Sequence, residues 1–115
     1  MKATNLKNGK RVSVMHGENF FIPIKKLPKG QEQECKVYIA GHSESGHHHL
    51  LEAKKPFTVI ENYQERAVLL NEVTKLFHKK SFDIHKTQYL APGAYRIVHK
   101  TEYSPFEKVV RRVFD

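Results

Sequence analysis

Cysteine is almost absent from this chain of 115 residues, which contains Cys35 alone. A single thiol excludes an internal disulfide and any zinc finger that needs paired cysteines, and it favours a reducing cytoplasm. No apolar run approaches the roughly 20 residues that a membrane-spanning helix needs, and the first ten residues, MKATNLKNGK, lack the apolar core of a secretory signal. The chain also has no phosphate-binding glycine-rich loop and no serine or cysteine nucleophile motif. We therefore expect a cytoplasmic protein that does not bind a membrane.

Acidic residues are also few, since 12 Asp and Glu stand against 20 Lys and Arg, for a net charge of +8 and a pI near 9.6. A positive field of this kind attracts polyanions, so nucleic acid or another polyanion is one predicted partner. Histidine, in contrast, is abundant: there are eight, of which three are consecutive. The length indicates a single domain.

The apolar residues fall in short runs bounded by Gly, Pro, Asn or charged pairs, which is typical of strands. These runs predict a mainly β fold, a small antiparallel β-barrel or sandwich formed by residues 11–115. The polar and basic residues 1–10 are predicted to form a flexible arm. The predicted strands are 11–15, 20–24, 35–40, 47–53, 57–61, 94–100 and 108–114.

One segment, residues 64–80, has two interpretations. Its apolar residues, from Leu69 to Phe77, lie at helical spacing and indicate an amphipathic helix, which would make the fold α+β. Alternatively, the strands 66–70 and 73–78 form a hairpin around Asn71-Glu72.

The histidines concentrate in the segment 41–49, GHSESGHHH. On a strand, side chains alternate between faces, so His47 and His49 point one way and His48 the other. Two imidazoles on one face predict a divalent metal site, with zinc the first expectation and iron, manganese or nickel the alternatives. The candidates for further ligands are His78, His85, His99, Glu44 and Glu52. The alternative interpretation is a set of solvated histidines on a surface strand.

A metal held by three imidazoles keeps positions open for water or substrate. Glu44, in the loop before the histidines, is the candidate general base of such a site. The alternative for Glu44 is a solvated loop carboxylate, and the sequence leaves open whether the protein is an enzyme.

Gly41, His47 and His49 have the spacing with which the first motif of cupin β-barrels begins, so the chain resembles cupins in this segment. In that family the paired histidines lie on an inward-facing strand and hold a metal. Glu52 stands one position earlier than the glutamate of the cupin pattern, and the later glycine is absent. Pro92-Gly93 with His99 is similar to part of the second cupin motif. The resemblance implies a cupin-like barrel.

Residues 41–115 also resemble a family of small, mostly uncharacterised proteins encoded in phage and bacterial genomes. The resemblance depends on five elements in a fixed order: Gly46 to His49, His85, Pro92-Gly93-Ala94-Tyr95, Glu102-Tyr103-Ser104-Pro105, and Arg111-Arg112-Val113-Phe114-Asp115. It implies that His85 is the remote partner of His47 and His49. A second histidine usual in that family is Phe82 here. His48, Tyr95 and Glu102 are then candidates to contact the metal ligands rather than the metal.

Together these patterns predict a divalent-metal-binding β-barrel protein associated with phages or mobile elements, with ligands His47, His49 and His85. It would act in the host cytoplasm or in the virion. Two alternatives remain. One is a structural or assembly protein, such as a virion component that self-associates, and the other is a basic barrel that binds nucleic acid.

Overall fold

The computed structural model describes residues 2–41, 49–62, 65–78 and 87–99. Within these ranges the chain forms ten strands and no helix, and therefore no helix that could cross a membrane. The strands are β1 (Leu6–Lys7), β2 (Lys10–Arg11), β3 (Val14–His16), β4 (Asn19–Ile24), β5 (Glu32–Gly41), β6 (His49–Glu61), β7 (Arg66–Leu70), β8 (Thr74–His78), β9 (Gln88–Leu90) and β10 (Gly93–His99). β1 and β2 form a separate ribbon, and the other eight form one antiparallel sheet. This sheet curls into a half-barrel, which confirms the predicted mainly β class.

β7 and β8 are two halves of one strand that runs along β6. Thr58 of β6 pairs with Leu69 of β7, and Glu52 of β6 pairs with Lys75 of β8, in one continuous antiparallel register. The helix predicted for residues 64–80 is therefore wrong over the described residues 65–78. The hairpin is wrong too, since its two strands lie end to end along β6 rather than beside each other. In the sheet, alternate residues of this segment are buried, namely Val68, Leu70, Thr74 and Leu76.

The half-barrel bends at a corner in β6. Between the pairs Val37–Glu52 and Cys35–Phe57, β5 contributes one residue and β6 contributes four, residues 53–56. Pro56 in this stretch has no N–H to donate to a ladder. The Glu72 carboxylate, in the break between β7 and β8, accepts hydrogen bonds from the Lys54 and Lys55 backbone N–H groups at 2.8 and 2.9 Å. The extra residues thus bend β6, and the Lys54 and Lys55 N–H groups remain hydrogen-bonded at the bend.

The concave side of the sheet holds the core, which follows the period-two alternation of the strands. Its largest fully buried members include Tyr95, Phe21, Phe57, Leu51 and Leu76. Val59, Val68 and Ile97 belong to the same buried cluster. The core therefore fixes which face of β6, β7 and β8 points inward.

The first ten residues, predicted as a flexible arm, contain β1 and the start of β2. Asn8 and Gly9 have φ of 54° and 76°, the two positive values that a type I′ turn requires. Asn5 is buried, donating from Nδ2 to the Tyr95 hydroxyl at 2.9 Å and accepting from the Ala91 N–H at 2.8 Å. Mobility of the rest of the arm stays a prediction.

Candidate functional site

Three histidines meet at one end of the half-barrel, and we call His16, His49 and His78 the histidine cluster. The Nδ1 atoms of His16 and His49 are 2.6 Å apart, and the two rings pack edge to face with centroids 4.7 Å apart. The His78 ring lies on another side of His49, with centroids 4.6 Å apart and planes at 64°. His16 and His49 are only 7% and 9% exposed. The cluster is thus a nearly buried group of imidazoles centred on His49.

Strand register places two members of the cluster. His49 is the first residue of β6 and lies directly opposite His78, the last residue of β8. Residues directly opposite in an antiparallel pair project from the same face, so the His49 and His78 rings meet. On its other side, His49 pairs with Gly41 at the end of β5.

The β3–β4 hairpin supplies the third member. His16 pairs with Asn19 across the two-residue turn Gly17-Glu18, and Gly17 has φ of 61°. A Cβ on Gly17 would overlap the His49 ring, and a Cβ on Gly41 would overlap the Asn19 amide. Both glycines therefore let the hairpin lie directly on the β5–β6 end of the sheet.

Two further contacts close the half-barrel beside the cluster, and we call them the closing contacts. Arg66, at the start of β7, donates from Nη1 to the Ala40 carbonyl at 2.6 Å and from Nη2 to Asn19 Oδ1 at 3.3 Å. The Tyr38 hydroxyl on β5 donates to Glu61 Oε2 at 2.9 Å, at the far end of β6. Asn19, which is 1% exposed, joins the hairpin to these contacts.

The closing contacts change the acidity of Tyr38. Burial raises the pKa of its phenol to about 12, and the hydrogen bond to the Glu61 carboxylate adds to the rise. The Arg66 guanidinium lowers the pKa of Tyr38, but by less than burial and Glu61 raise it. Tyr38 is therefore a hydrogen-bond donor at neutral pH.

The short His16–His49 separation fits an N–H···N hydrogen bond, in which one imidazole donates and the other accepts. Two nitrogens on one tetrahedral zinc, each about 2.0–2.1 Å from the ion, are roughly 3.3 Å apart. Coordination by both Nδ1 atoms thus requires the rings to separate by about 0.7 Å. Within the described ranges, no three His, Cys, Asp or Glu side chains already have the arrangement of a metal site.

Of the predicted ligands His47, His49 and His85, only His49 lies in the described residues, and it lies at the centre of the cluster. His78, one of the candidates for a further ligand, is brought against it. His99 ends β10 opposite Asn19, and Glu52 is exposed on β6. His47 and His85 lie outside the described residues, as do His48, Glu44 and Glu102.

Tyr95, predicted to contact the metal ligands, is fully buried in the core. Its hydroxyl donates to the Ala91 carbonyl at 2.7 Å and accepts from Asn5. Its predicted role beside the metal ligands stays a prediction.

His16 is the member of the cluster that the sequence interpretation missed. A signal for it exists, because Gly17 separates two predicted strands, 11–15 and 20–24, at a distance typical of a hairpin. That signal places His16 at a turn but does not indicate which part of the sheet the turn contacts.

Comparison with known proteins gives one match. No curated protein and no solved structure matches the chain. A family model described as "Domain of unknown function (DUF8820)" matches residues 15–100, a range that contains the whole histidine cluster. The chain therefore belongs to the DUF8820 family.

Proposed function

We propose that this protein is a divalent-metal-binding β-barrel whose site is centred on His49. The observation that carries the proposal is the 2.6 Å contact between the Nδ1 atoms of the buried His16 and His49, with the partly buried His78 ring packed against His49. Neutral imidazole nitrogens are ligands for zinc, iron, nickel and copper.

Burial favours the neutral imidazoles that metals require. His16 and His49 are 7% and 9% exposed, and a charged imidazolium loses hydration in such a buried position. The cupin-like spacing of Gly41, His47 and His49 supports the same type of site from the sequence. His47 and His85 remain proposed co-ligands, and the association with phages or mobile elements is supported by motif resemblance alone.

The donor set determines what a bound ion could do. No member of the histidine cluster carries a negative charge, so the ion would keep its full charge and favour a hydroxide or an anionic substrate in an open position. Coordination through Nδ1 requires each ring to carry its proton on Nε2. His16, which lies on a short hairpin, is the ring whose movement would open the pair.

Metal analysis of untagged protein tests the proposal. The protein is purified without a metal column, equilibrated with zinc, dialysed and analysed for bound metal. We expect about one equivalent in wild type. His49→Ala should bind none, and His16→Ala and His78→Ala should bind zinc at least tenfold more weakly.

His42→Ala is the matched control, since it removes a histidine that is neither part of the cluster nor a candidate ligand. His47→Ala and His85→Ala test the sequence-predicted co-ligands in the same assay. Zinc should also raise the melting temperature of wild type but not of His49→Ala, because a ligand that binds only the folded state stabilises it. Absence of zinc binding in wild type, or equal binding in wild type and His49→Ala, would overturn the proposal.

A further inference from the structure

We propose that the β1–β2 ribbon, residues 6–11, binds the phosphate backbone of double-stranded nucleic acid. This ribbon forms a sheet of its own, with Leu6 opposite Arg11 and Lys7 opposite Lys10 around the Asn8-Gly9 turn. It lies outside the range matched by the family and does not pair with β3, β6 or β8, the strands that carry the histidine cluster. The proposal is therefore independent of metal binding.

The base of the ribbon is fixed to the barrel. The Arg11 guanidinium donates to the Ala94 carbonyl at 2.5 Å and to the Ile24 carbonyl at 3.0 Å, and it lies 5.0 Å from the centre of the Tyr95 ring. Arg11 thus points towards the barrel. Because faces alternate along a strand, Lys7 and Lys10 lie on the other face of the ribbon.

Lys7 and Lys10 form a pair of like charges held face to face. Both are exposed, and like charges directly opposite each other destabilise a strand pair. In the described ranges, no carboxylate forms an ion pair or hydrogen bond with either ammonium group. An anion placed between the two lysines would remove the repulsion and gain two favourable contacts.

The surroundings of the ribbon are also basic. Residues 1–31 contain seven Lys and Arg and a single acid, Glu18, whereas residues 32–115 contain thirteen Lys and Arg and eleven acids. Most of the net positive charge therefore belongs to the first quarter of the chain. Lys25 and Lys26 are exposed and directly follow Ile24, the residue that Arg11 binds at the base of the ribbon.

The shape and composition of the ribbon favour duplex nucleic acid over other polyanions. The major groove of a duplex admits a two-stranded β-ribbon. The ribbon has no aromatic residue on which the bases of a single strand could stack. Its tip is Asn8-Gly9 between lysines, without the apolar residues that insert into a bilayer. Contacts to phosphates alone predict binding that does not depend on sequence.

Fluorescence anisotropy with a labelled DNA duplex of about 20 base pairs tests this proposal. The variant is the pair K7Q and K10Q. The matched control is the pair K54Q and K55Q, which removes the same charge from two exposed lysines at the β6 corner. We expect wild type to bind with a strong salt dependence. The ribbon variant should bind about tenfold or more weakly at roughly 0.1 M salt, and its salt slope should fall by about 2.

The control variant should keep most of the affinity and slope. Equal losses in the two variants would overturn the proposal, because they would show a response to net charge alone. Tighter binding to a single-stranded oligonucleotide, or binding to phosphatidylserine vesicles but not to the duplex, would overturn it as well. A chelator should leave duplex binding unchanged, so this result does not depend on the outcome of the metal analysis.

Discussion

Gly17 is the residue on which the approach of His16 to His49 depends. Its φ of 61° disfavours any residue with a Cβ, and a Cβ there would also overlap the His49 ring. Gly9 has a similar φ of 76° but open space around it, so a substitution of Gly9 tests backbone strain without steric overlap.

We expect Gly17→Ala to lower the free energy of unfolding by about 2–4 kcal/mol, because backbone strain and steric overlap add. Gly9→Ala should cost only about 1 kcal/mol, from strain alone. Urea denaturation of both variants measures the difference. Equal losses would show that the Gly17 turn does not lie against His49.

Tyr38 makes stability depend on pH in the alkaline range. Its pKa is about 12 in the folded protein and near 10 in the unfolded chain. The folded state therefore keeps a proton that the unfolded state loses, so this contribution to stability is complete below about pH 10 and is lost as pH rises towards about 12.

We expect Tyr38→Phe to remove the part of the alkaline loss of stability that comes from ionisation of Tyr38. Thermal melts across the same pH range measure this loss. In an ultraviolet titration of the folded protein, the phenol that titrates near pH 12 should disappear in this variant. Glu61→Gln should lower the pKa of Tyr38 only in part, because burial is the larger cause. A wild-type titration without a phenol near pH 12 would contradict the Tyr38–Glu61 contact.

At the scale of elements, the sequence predicts where strands lie better than how they are joined. Leu69, Leu70, Val73, Leu76 and Phe77 have helical spacing because apolar residues lie on both faces of this strand. Leu70 and Leu76 are buried on the inner face, and Leu69, Val73 and Phe77 are partly buried on the other. The strand is interrupted at residues 71–73 without a change in its alternation, and apolar residues on both faces give one strand the pattern of a helix with period 3.6. The interruption exists to match the corner of β6, which is a tertiary requirement.

The β1–β2 ribbon was missed for a different reason. Asn-Gly is the strongest short-range hairpin signal, and Asn8-Gly9 supplies it. The flanking residues are mostly lysines rather than alternating apolar residues, so composition indicates an arm. What holds the ribbon in place is Asn5 with Arg11, which bind Ala91 and Ala94 more than 80 residues away, and Arg11 also binds the Ile24 carbonyl of β4.

Glu72 provides a test of the corner. Its pKa is lowered mainly by the hydrogen bond from the Lys55 N–H, so its contribution to stability is present above its unfolded pKa and is lost as pH falls through the folded value. We expect Glu72→Ala to lower the melting temperature at neutral pH, and the difference from wild type to shrink in acid.

Glu52→Ala is the control for that experiment, since Glu52 is an exposed glutamate of β6 and its substitution removes the same charge. It should change the melting temperature little. If the two variants behave alike, Glu72 does not hold the corner backbone. Thermal melts at neutral and acidic pH measure both variants.

At the scale of the whole molecule, the candidate site depends on curvature, which periodicity does not encode. Alternation assigns His49 to the inner face of β6, and the register brings it to His78. The approach of His16 requires the sheet to curl, and this curl depends on the three extra residues of β6 at the corner and on the Arg66 contacts. The sequence therefore indicated His49 as a ligand and His78 as one of several further candidates, and it did not indicate His16.

Closure of the half-barrel is testable at Arg66, because its guanidinium joins β7 to the end of β5 and to the β3–β4 hairpin. We expect Arg66→Met to lower the free energy of unfolding by about 2–4 kcal/mol, since it leaves the Ala40 carbonyl and the Asn19 amide oxygen without this donor. Arg96→Met is the matched control. Arg96 pairs with Glu65 at 2.9 Å where both side chains are partly exposed, and such a pair contributes less than about 1 kcal/mol.

The same two variants connect closure to the histidine cluster. If closure holds His16 against His49, amide hydrogen exchange at residues 16–19 should become faster in Arg66→Met and remain unchanged in Arg96→Met. Zinc binding should weaken in the first variant and not in the second, because its proposed ligands would no longer be held together. Slow exchange at the hairpin in Arg66→Met would mean that the β3–β4 register and Gly17 alone hold His16 in place, and that the site forms independently of the closed half-barrel.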